Sequence, residues 1–152
     1  MKKILPVLFV MISVLAFSGC AEKLPEVSQA EATRSLTAAT AAYISGVAIS
    51  GSDTTEAGIT VTSTDTKTEI KFTAYNLPAE ASPYTSISGS ITMIRTSATS
   101  ASFEMHFTFT GGEVVTMDIV IDTNGNVVFD VNGHDMLTPE LKLTLQATFT
   151  FR

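Results

Sequence analysis

The 152-residue sequence contains one cysteine, no tryptophan, three tyrosines and two histidines. A single cysteine allows no disulfide within the chain, so burial of apolar side chains must hold the fold together. The lack of tryptophan and the scarcity of tyrosine argue against a barrel that spans an outer membrane, because such barrels carry aromatic girdles. Basic residues are also scarce. Nine stand against 15 acidic ones, and the net charge of −6 disfavours binding to nucleic acid or to an anionic lipid surface.

Motifs for catalysis and for cofactor binding are missing as well. The sequence has no G-x-S-x-G nucleophile elbow. Asp53, Glu56 and Asp65 do not have the spacing of a calcium loop. Gly111-Gly112 precedes alternating residues rather than the helix that a phosphate loop requires. The sequence therefore predicts no cofactor and no enzymatic activity.

The first 20 residues, in contrast, have the pattern of an export signal. Lys2 and Lys3 form a charged start, residues 4–17 an apolar stretch, and Ser18-Gly19 a pair of small residues before Cys20. The apolar stretch is shorter than the roughly 20 residues that a membrane-spanning helix needs. A cleaved signal is therefore favoured over a retained anchor helix, and an ordinary secretory signal followed by a free cysteine is the alternative.

The sequence FSGC at residues 17–20 resembles the lipobox of bacterial lipoproteins. This resemblance implies that residues 1–19 are removed, that Cys20 carries fatty acyl chains, and that residues 20–28 are the lipidated cysteine and a short tether. Several acyl chains on one residue would give stable membrane anchoring. The membrane is then the implied partner and the bacterial cell envelope the implied location. Ala21-Glu22, without an Asp in the second mature position, favours the outer over the inner membrane.

Residues 29–152 are expected to form one β-rich domain with an N-terminal helix. Ser28 and Glu31 have capping-box spacing, and Gly46 is a plausible stop, so the helix is predicted near 29–44. Its apolar residues recur at helical spacing and form one narrow stripe, made of Ala32, Leu36, Ala39 and Tyr43.

From residue 47 onward, apolar residues alternate with Ser and Thr, which is the pattern of half-buried antiparallel strands. About eight strands are predicted as an antiparallel meander, either a curved sheet or a small barrel, with the helix packed on it. The clearest alternation covers 141–151, where every odd position is apolar. The candidate strands lie near 47–51, 57–64, 68–76, 86–97, 101–110, 113–122, 126–132 and 140–151.

The register of two hairpins follows from the requirement that facing residues share one side of the sheet. A three-residue loop at 123–125 pairs Ile121 with Val127 and puts Gly125 where a positive φ is needed, whereas a two-residue turn would mix the faces. A loop at 111–113 then pairs Phe107 with Met117 in the preceding hairpin. The last strand is expected to continue the sheet, with Leu141 facing Val131 and Leu143 facing Phe129.

The same register brings His106, Asp118 and Asp130 into one row on the polar face, with Lys142 beside Asp130. We interpret this row as a cross-strand charge ladder, although a weak metal site or an acid–base pair would use the same residue types. His134-Asp135 is expected in a surface turn within residues 132–140.

These features favour a membrane-anchored envelope lipoprotein with a non-catalytic binding or structural role, whose Ser- and Thr-rich face suits a protein or a glycan. The alternative is a carrier whose barrel or curved-sheet cavity encloses an apolar, lipid-like ligand. A packed interior would favour the first function, and a continuous apolar void above about 300 Å³ would favour the second. A weak metal-dependent enzyme that uses the His106 row is the third candidate.

Overall fold

The computed structural model of the protein describes residues 24–51 and 55–149. The predicted signal peptide and Cys20 lie outside the described residues. Within them the fold is one antiparallel sheet of seven strands in chain order, preceded by one helix and followed by another. The elements are α1 (Gln29–Ser50), β1 (Ile59–Ser63), β2 (Lys67–Asn76), a 3₁₀ turn (Ala79–Ala81), β3 (Ser86–Arg95), β4 (Ala101–Thr110), β5 (Thr116–Asp122), β6 (Val127–Val131), β7 (His134–Asp135) and α2 (Pro139–Thr148).

The antiparallel meander with a helix on one face is confirmed, as an open curved sheet of seven strands in the described residues. The register derived from residue alternation is confirmed too. Ile121 faces Val127, Phe107 faces Met117 and Met105 faces Ile119. Alternate residues of β4 are buried on the face that the helices cover, namely Phe103, Met105, Phe107 and Phe109.

Helix α1 runs six residues beyond the predicted end, so both the stop at Gly46 and the strand at 47–51 were wrong. Gly46 is buried because the helix crosses strand β2 there at close range. A Cβ on residue 46 would lie 2.9 Å from Ile70 Cγ2 and 2.9 Å from Phe72 Cζ. The glycine therefore serves close helix–sheet packing rather than helix termination, and tertiary contact outweighs its low helix propensity.

The segment predicted as the last strand is helix α2. The Thr138 side chain caps it by accepting a hydrogen bond from the Leu141 backbone N–H at 3.1 Å, and Pro139 occupies the first turn. Residues 141, 145 and 149 alternate as in a strand, but they also recur every four residues and so share one helical face. Leu145 and Phe149 on that face are buried, whereas Leu143 is 70% exposed.

The final strand pairing was therefore wrong as well. The short strand β7 takes the predicted place beside β6, so that Val131 faces His134 and Asp130 faces Asp135. Lys142 lies on α2 and is not the cross-strand neighbour of Asp130. Residues 132–140 were predicted as a surface turn, but they include this strand and the buried Asn132, which is 2% exposed.

Aromatic side chains join both helices to the sheet. The Tyr43 ring of α1 lies 4.8 Å from the Phe149 ring and 5.7 Å from the Phe103 ring of β4, measured between centroids. Every buried side-chain nitrogen and oxygen among the described residues has a hydrogen-bond partner. The apolar face of the sheet is thus covered by packed side chains. No helix within the described ranges is both long and apolar enough to cross a membrane.

Candidate functional site

The His106 row lies on the exposed face of β4, β5 and β6. His106 pairs with Asp118, and Asp118 pairs with Asp130, as the register predicted. His106 Nδ1 lies 2.6 Å from Asp118 Oδ1, and its Nε2 lies 3.7 Å from Glu104 Oε2. The His106 and Asp118 side chains are about half exposed, so solvent screens this charge pair.

Asp130, at the end of the row, has a different environment. Its pKa is raised, first by partial burial and then by the neighbouring charges of Asp135 and Asp118. In the part of the chain that the structure describes, no three His, Cys, Asp or Glu side chains are grouped so that they could hold a metal ion. The row thus has the geometry of an open charge ladder, with side chains side by side on a sheet rather than converging on a point.

A second group of residues, the tether cluster, joins the beginning of the described chain to the sheet. It consists of Leu24, Pro25, Gln29, Asn132, His134 and Met136. His134 Nε2 lies 2.9 Å from the carbonyl oxygen of Leu24, and an Nε2–H tautomer donates to it. Asn132 Nδ2 donates to the Pro25 carbonyl at 3.0 Å, and Gln29 Nε2 donates to the Met136 carbonyl at 3.5 Å. Residues 24–29 therefore lie against the β6–β7 turn and the segment that leads into α2.

Asn132 is the centre of this cluster. Its Oδ1 accepts from the backbone N–H groups of Val115 and Thr116 at 2.7 and 3.1 Å, and its Nδ2 donates to the carbonyls of Pro25 and Glu113. All four hydrogen-bonding positions of the amide are used. The residue has a φ of +53°, a conformation that asparagine tolerates better than most residues. The sequence predicted a surface turn within residues 132–140, but the residues next to Asn132 do not indicate its distant hydrogen-bond partners.

A buried carboxylate holds the first turn of α1. Glu31 is 8% exposed, and it accepts hydrogen bonds from the Tyr84 hydroxyl at 2.7 Å and from Arg34 Nη1 at 2.9 Å. Ser28 caps Glu31 N–H as predicted, but the Glu31 carboxylate turns to Tyr84. Burial, followed by the hydrogen bond to Glu31, raises the pKa of Tyr84. The Val114 N–H donates to the same hydroxyl, so this cluster links α1 to the β4–β5 loop.

An open groove of about 510 Å³ runs between the two helices. None of the described residues that line this α1–α2 groove is charged. Sequence reasoning missed it, because one wall was predicted as a strand. Its lining consists of Thr33, Leu36, Thr37, Thr40, Ala41, Ile44, Leu141, Thr144, Leu145, Thr148 and Phe149.

A groove of about 400 Å³ with both polar and apolar lining lies at the other end of the sheet. Its walls come from the β1–β2 hairpin, the end of β3 and the end of α1, and they include Asp65, Lys67 and Arg95. The register puts these residues at the end opposite Asn132, because β3 and β4 meet there through the pair Arg95–Ala101. The tether cluster and this hairpin-end groove therefore occupy opposite ends of the domain.

Comparison with known proteins finds no matching family model, no matching curated protein and no matching solved structure.

Proposed function

We propose that the protein is an acyl-anchored lipoprotein of the bacterial cell envelope, located at the outer membrane, whose β domain has a non-catalytic binding role. The anchor rests on the lipobox-like residues 17–20 and on Cys20, which lie outside the described residues. The observation that carries the binding role is the separation of the tether cluster from the hairpin-end groove.

That separation supports a defined orientation. Leu24 is held by His134, and Cys20 precedes it by four residues, which span at most about 14 Å. An acylated Cys20 would therefore keep the tether end of the domain close to the bilayer. The hairpin-end groove would then face away from the membrane, towards soluble envelope components.

The groove's chemistry favours a hydroxyl-rich ligand such as a glycan. One carboxylate and two cationic side chains on its lining supply directional partners for sugar hydroxyl groups, whereas four of the five lining hydroxyl groups already bond within the protein. Its polar lining residues are Ser50, Ser63, Thr64, Asp65, Thr66, Lys67, Thr68 and Arg95.

The anchor is tested by mass spectrometry of the N-terminal peptide and by membrane fractionation of cells that express the full chain. We expect an acylated peptide that begins at Cys20, and we expect the Cys20→Ser variant to leave the membrane fraction while a Ser28→Ala control remains there. An unmodified Cys20 in a fully soluble protein would contradict the proposal.

The binding role is tested on an array of bacterial envelope glycans with the full chain. Asp65→Ala and Lys67→Ala should each lower the signal, whereas Thr108→Ala on the exposed sheet face should not. Equal signals from all four proteins, or no signal from any glycan, would contradict a glycan-binding groove.

A second candidate function, a carrier of an apolar lipid-like ligand, is favoured by the α1–α2 groove. The cavity expected within a barrel or curved sheet is instead filled by the packed helices. An apolar ligand would therefore lie between the helices, where the volume of about 510 Å³ is within the usual range for ligand sites.

A further inference from the structure

We propose that the α1–α2 groove binds the acyl chain of a zwitterionic monoacyl phospholipid drawn from the membrane that holds the protein. This inference rests on the proposed lipid anchor and adds to it a site and a ligand class. Three properties of the groove support it: the chemistry of its walls, its length and its position relative to the tether.

The walls are less polar than the sequence indicates. Five threonines line the groove, and each hydroxyl donates its proton to the carbonyl four residues earlier in the same helix, at distances between 2.8 and 3.2 Å. Because these protons are engaged, the groove offers a ligand mainly methyl groups and aliphatic side chains. The five residues are Thr33, Thr37, Thr40, Thr144 and Thr148.

The groove is also unfilled by the described chain. Ile44 on its wall is 62% exposed, although it is a large apolar residue that burial would stabilise. An aliphatic chain laid along the groove would cover this side chain without leaving a charge or a hydrogen-bond donor unpaired. A polar ligand would lose its hydration there and gain no charged partner.

The shape favours an extended ligand. Both helices start near the tether, where Gln29 contacts Met136, and near their other ends Tyr43 packs on Phe149. The helices therefore run side by side in the same direction. The ten residues of α2 make a wall about 15 Å long, which suits an unbranched chain better than a compact ring system.

The position of the groove indicates that its lipid ligand comes from the membrane. Its tether end lies near Leu24, within about four extended residues of Cys20 and thus of the bilayer. The cost of withdrawing a lipid grows with every methylene that leaves the membrane, so a lipid with one chain transfers more readily than a lipid with two. The net charge of −6 disfavours an anionic headgroup, so a zwitterionic one is favoured.

The test uses the full chain as bacterial cells produce it, in phosphatidylcholine vesicles that contain lysophosphatidylcholine with a photoactivatable diazirine at the end of its acyl chain. After irradiation, mass spectrometry should find adducts on both helices, within residues 33–44 and 141–149. Adducts confined to the sheet's exposed face, or no adducts on either helix, would overturn the proposal.

Variants make the test specific. Thr40→Glu puts a carboxylate into the groove and should reduce labelling at least tenfold, whereas Thr108→Glu on the exposed face of β4 should leave it unchanged. Thr40→Val keeps the methyl wall and removes the hydroxyl, so labelling should persist. Loss of labelling in Thr40→Val would mean that the hydroxyl itself recognises the ligand, contrary to the proposal.

The same sample separates this inference from the proposed anchor. If the N-terminal peptide is acylated and the protein stays with the vesicles but the helices remain unlabelled, the groove inference fails and the anchor stands. If both helices are labelled while Cys20 is unmodified, the groove binds lipid and the anchor proposal fails.

Discussion

The side-chain amide of Asn132 donates a hydrogen bond of 3.0 Å to the carbonyl oxygen of Pro25, 107 positions earlier in the chain. This contact ties the start of the described chain to the turn between β6 and β7. If Cys20 is acylated as proposed, the contact shortens the free tether to the few residues that precede Leu24. In that case the orientation of the domain on the membrane would depend on a buried asparagine.

Replacement of Asn132 by Asp tests how strongly its hydrogen bonds stabilise the fold. The carboxylate can still accept from Val115 and Thr116, but its second oxygen would face the carbonyls of Pro25 and Glu113 without a donor. We expect the free energy of unfolding to fall by about 2–4 kcal/mol in urea titrations. The exposed Asn76→Asp should change it by less than about 0.5 kcal/mol. Equal effects would assign the loss to added charge rather than to the lost donors.

Tyr84→Phe removes the hydroxyl that Glu31 and Val114 share. The variant leaves a buried carboxylate oxygen and a buried backbone N–H without this partner, so a loss of about 1–3 kcal/mol in unfolding free energy is expected. Tyr75→Phe is the matched control, because its hydroxyl bonds to Glu56 in an exposed segment. A Tyr75→Phe loss as large as that of Tyr84→Phe would contradict the special role of the buried pair.

Gly89→Ala should be far more damaging than a glycine replacement in a turn. A Cβ at residue 89 would lie 1.9 Å from the His106 carbonyl oxygen, at a φ of +136°. Gly133 also has a positive φ, +80°, but nothing lies within 4 Å of its would-be Cβ. Thermal and urea unfolding should show a loss above about 3 kcal/mol for Gly89→Ala, against about 1–2 kcal/mol for Gly133→Ala. Similar losses would mean that backbone conformation, and not close strand approach, sets the cost.

Asp130→Asn should stabilise the protein at neutral pH. The pKa of Asp130 is higher in the folded state than in the unfolded chain, so the folded state binds more protons as the carboxyl titrates. The free energy of unfolding therefore falls as the pH rises from the pKa of the unfolded chain, about 3.9, through the pKa of the folded state. It stays lower at higher pH. We expect a higher melting temperature for Asp130→Asn at pH 7, and a difference that vanishes below pH ~3.

Asp122→Asn is the control, because the pKa of Asp122 is shifted in the opposite direction to that of Asp130. Hydrogen bonds from Asn126, first from its side chain and then from its backbone, lower the pKa of Asp122. Its ionised form therefore stabilises the β5–β6 loop above the unfolded pKa, and this contribution is lost as pH falls through the folded pKa. The variant should lower the melting temperature at pH 7. Two variants that shift it in the same direction would contradict this assignment.

Asp118→Asn should change stability by less than about 1 kcal/mol, because its pairing with His106 is half exposed. We also expect the variant to leave the metal content of the purified protein unchanged, as measured by elemental analysis. A large loss of bound metal would restore the His106 row as a metal site.

The register of β4, β5 and β6 could be predicted because each hairpin is a local structure. Facing residues are few positions apart, and alternation allows a single loop length, three residues with Gly125 at a positive φ. The same rule failed at residues 141–149, since apolar residues four apart satisfy a helix as well as a strand. Thr138 and Pro139 are typical of a helix start, a signal that the prediction from alternation did not use.

The sequence by itself determined the apolar and polar faces of the strands, the start of α1 at Ser28 and the lipobox-like ending at Cys20. These features are local, because each depends on residues within one turn or one hairpin. Only the tertiary structure decided that Gly46 is a contact point, that Asn132 holds Pro25, and that two threonine-rich helices enclose an apolar groove. Each of these features depends on contacts between residues far apart in the chain, and the helix or strand propensity of a residue does not indicate which distant residues it will contact.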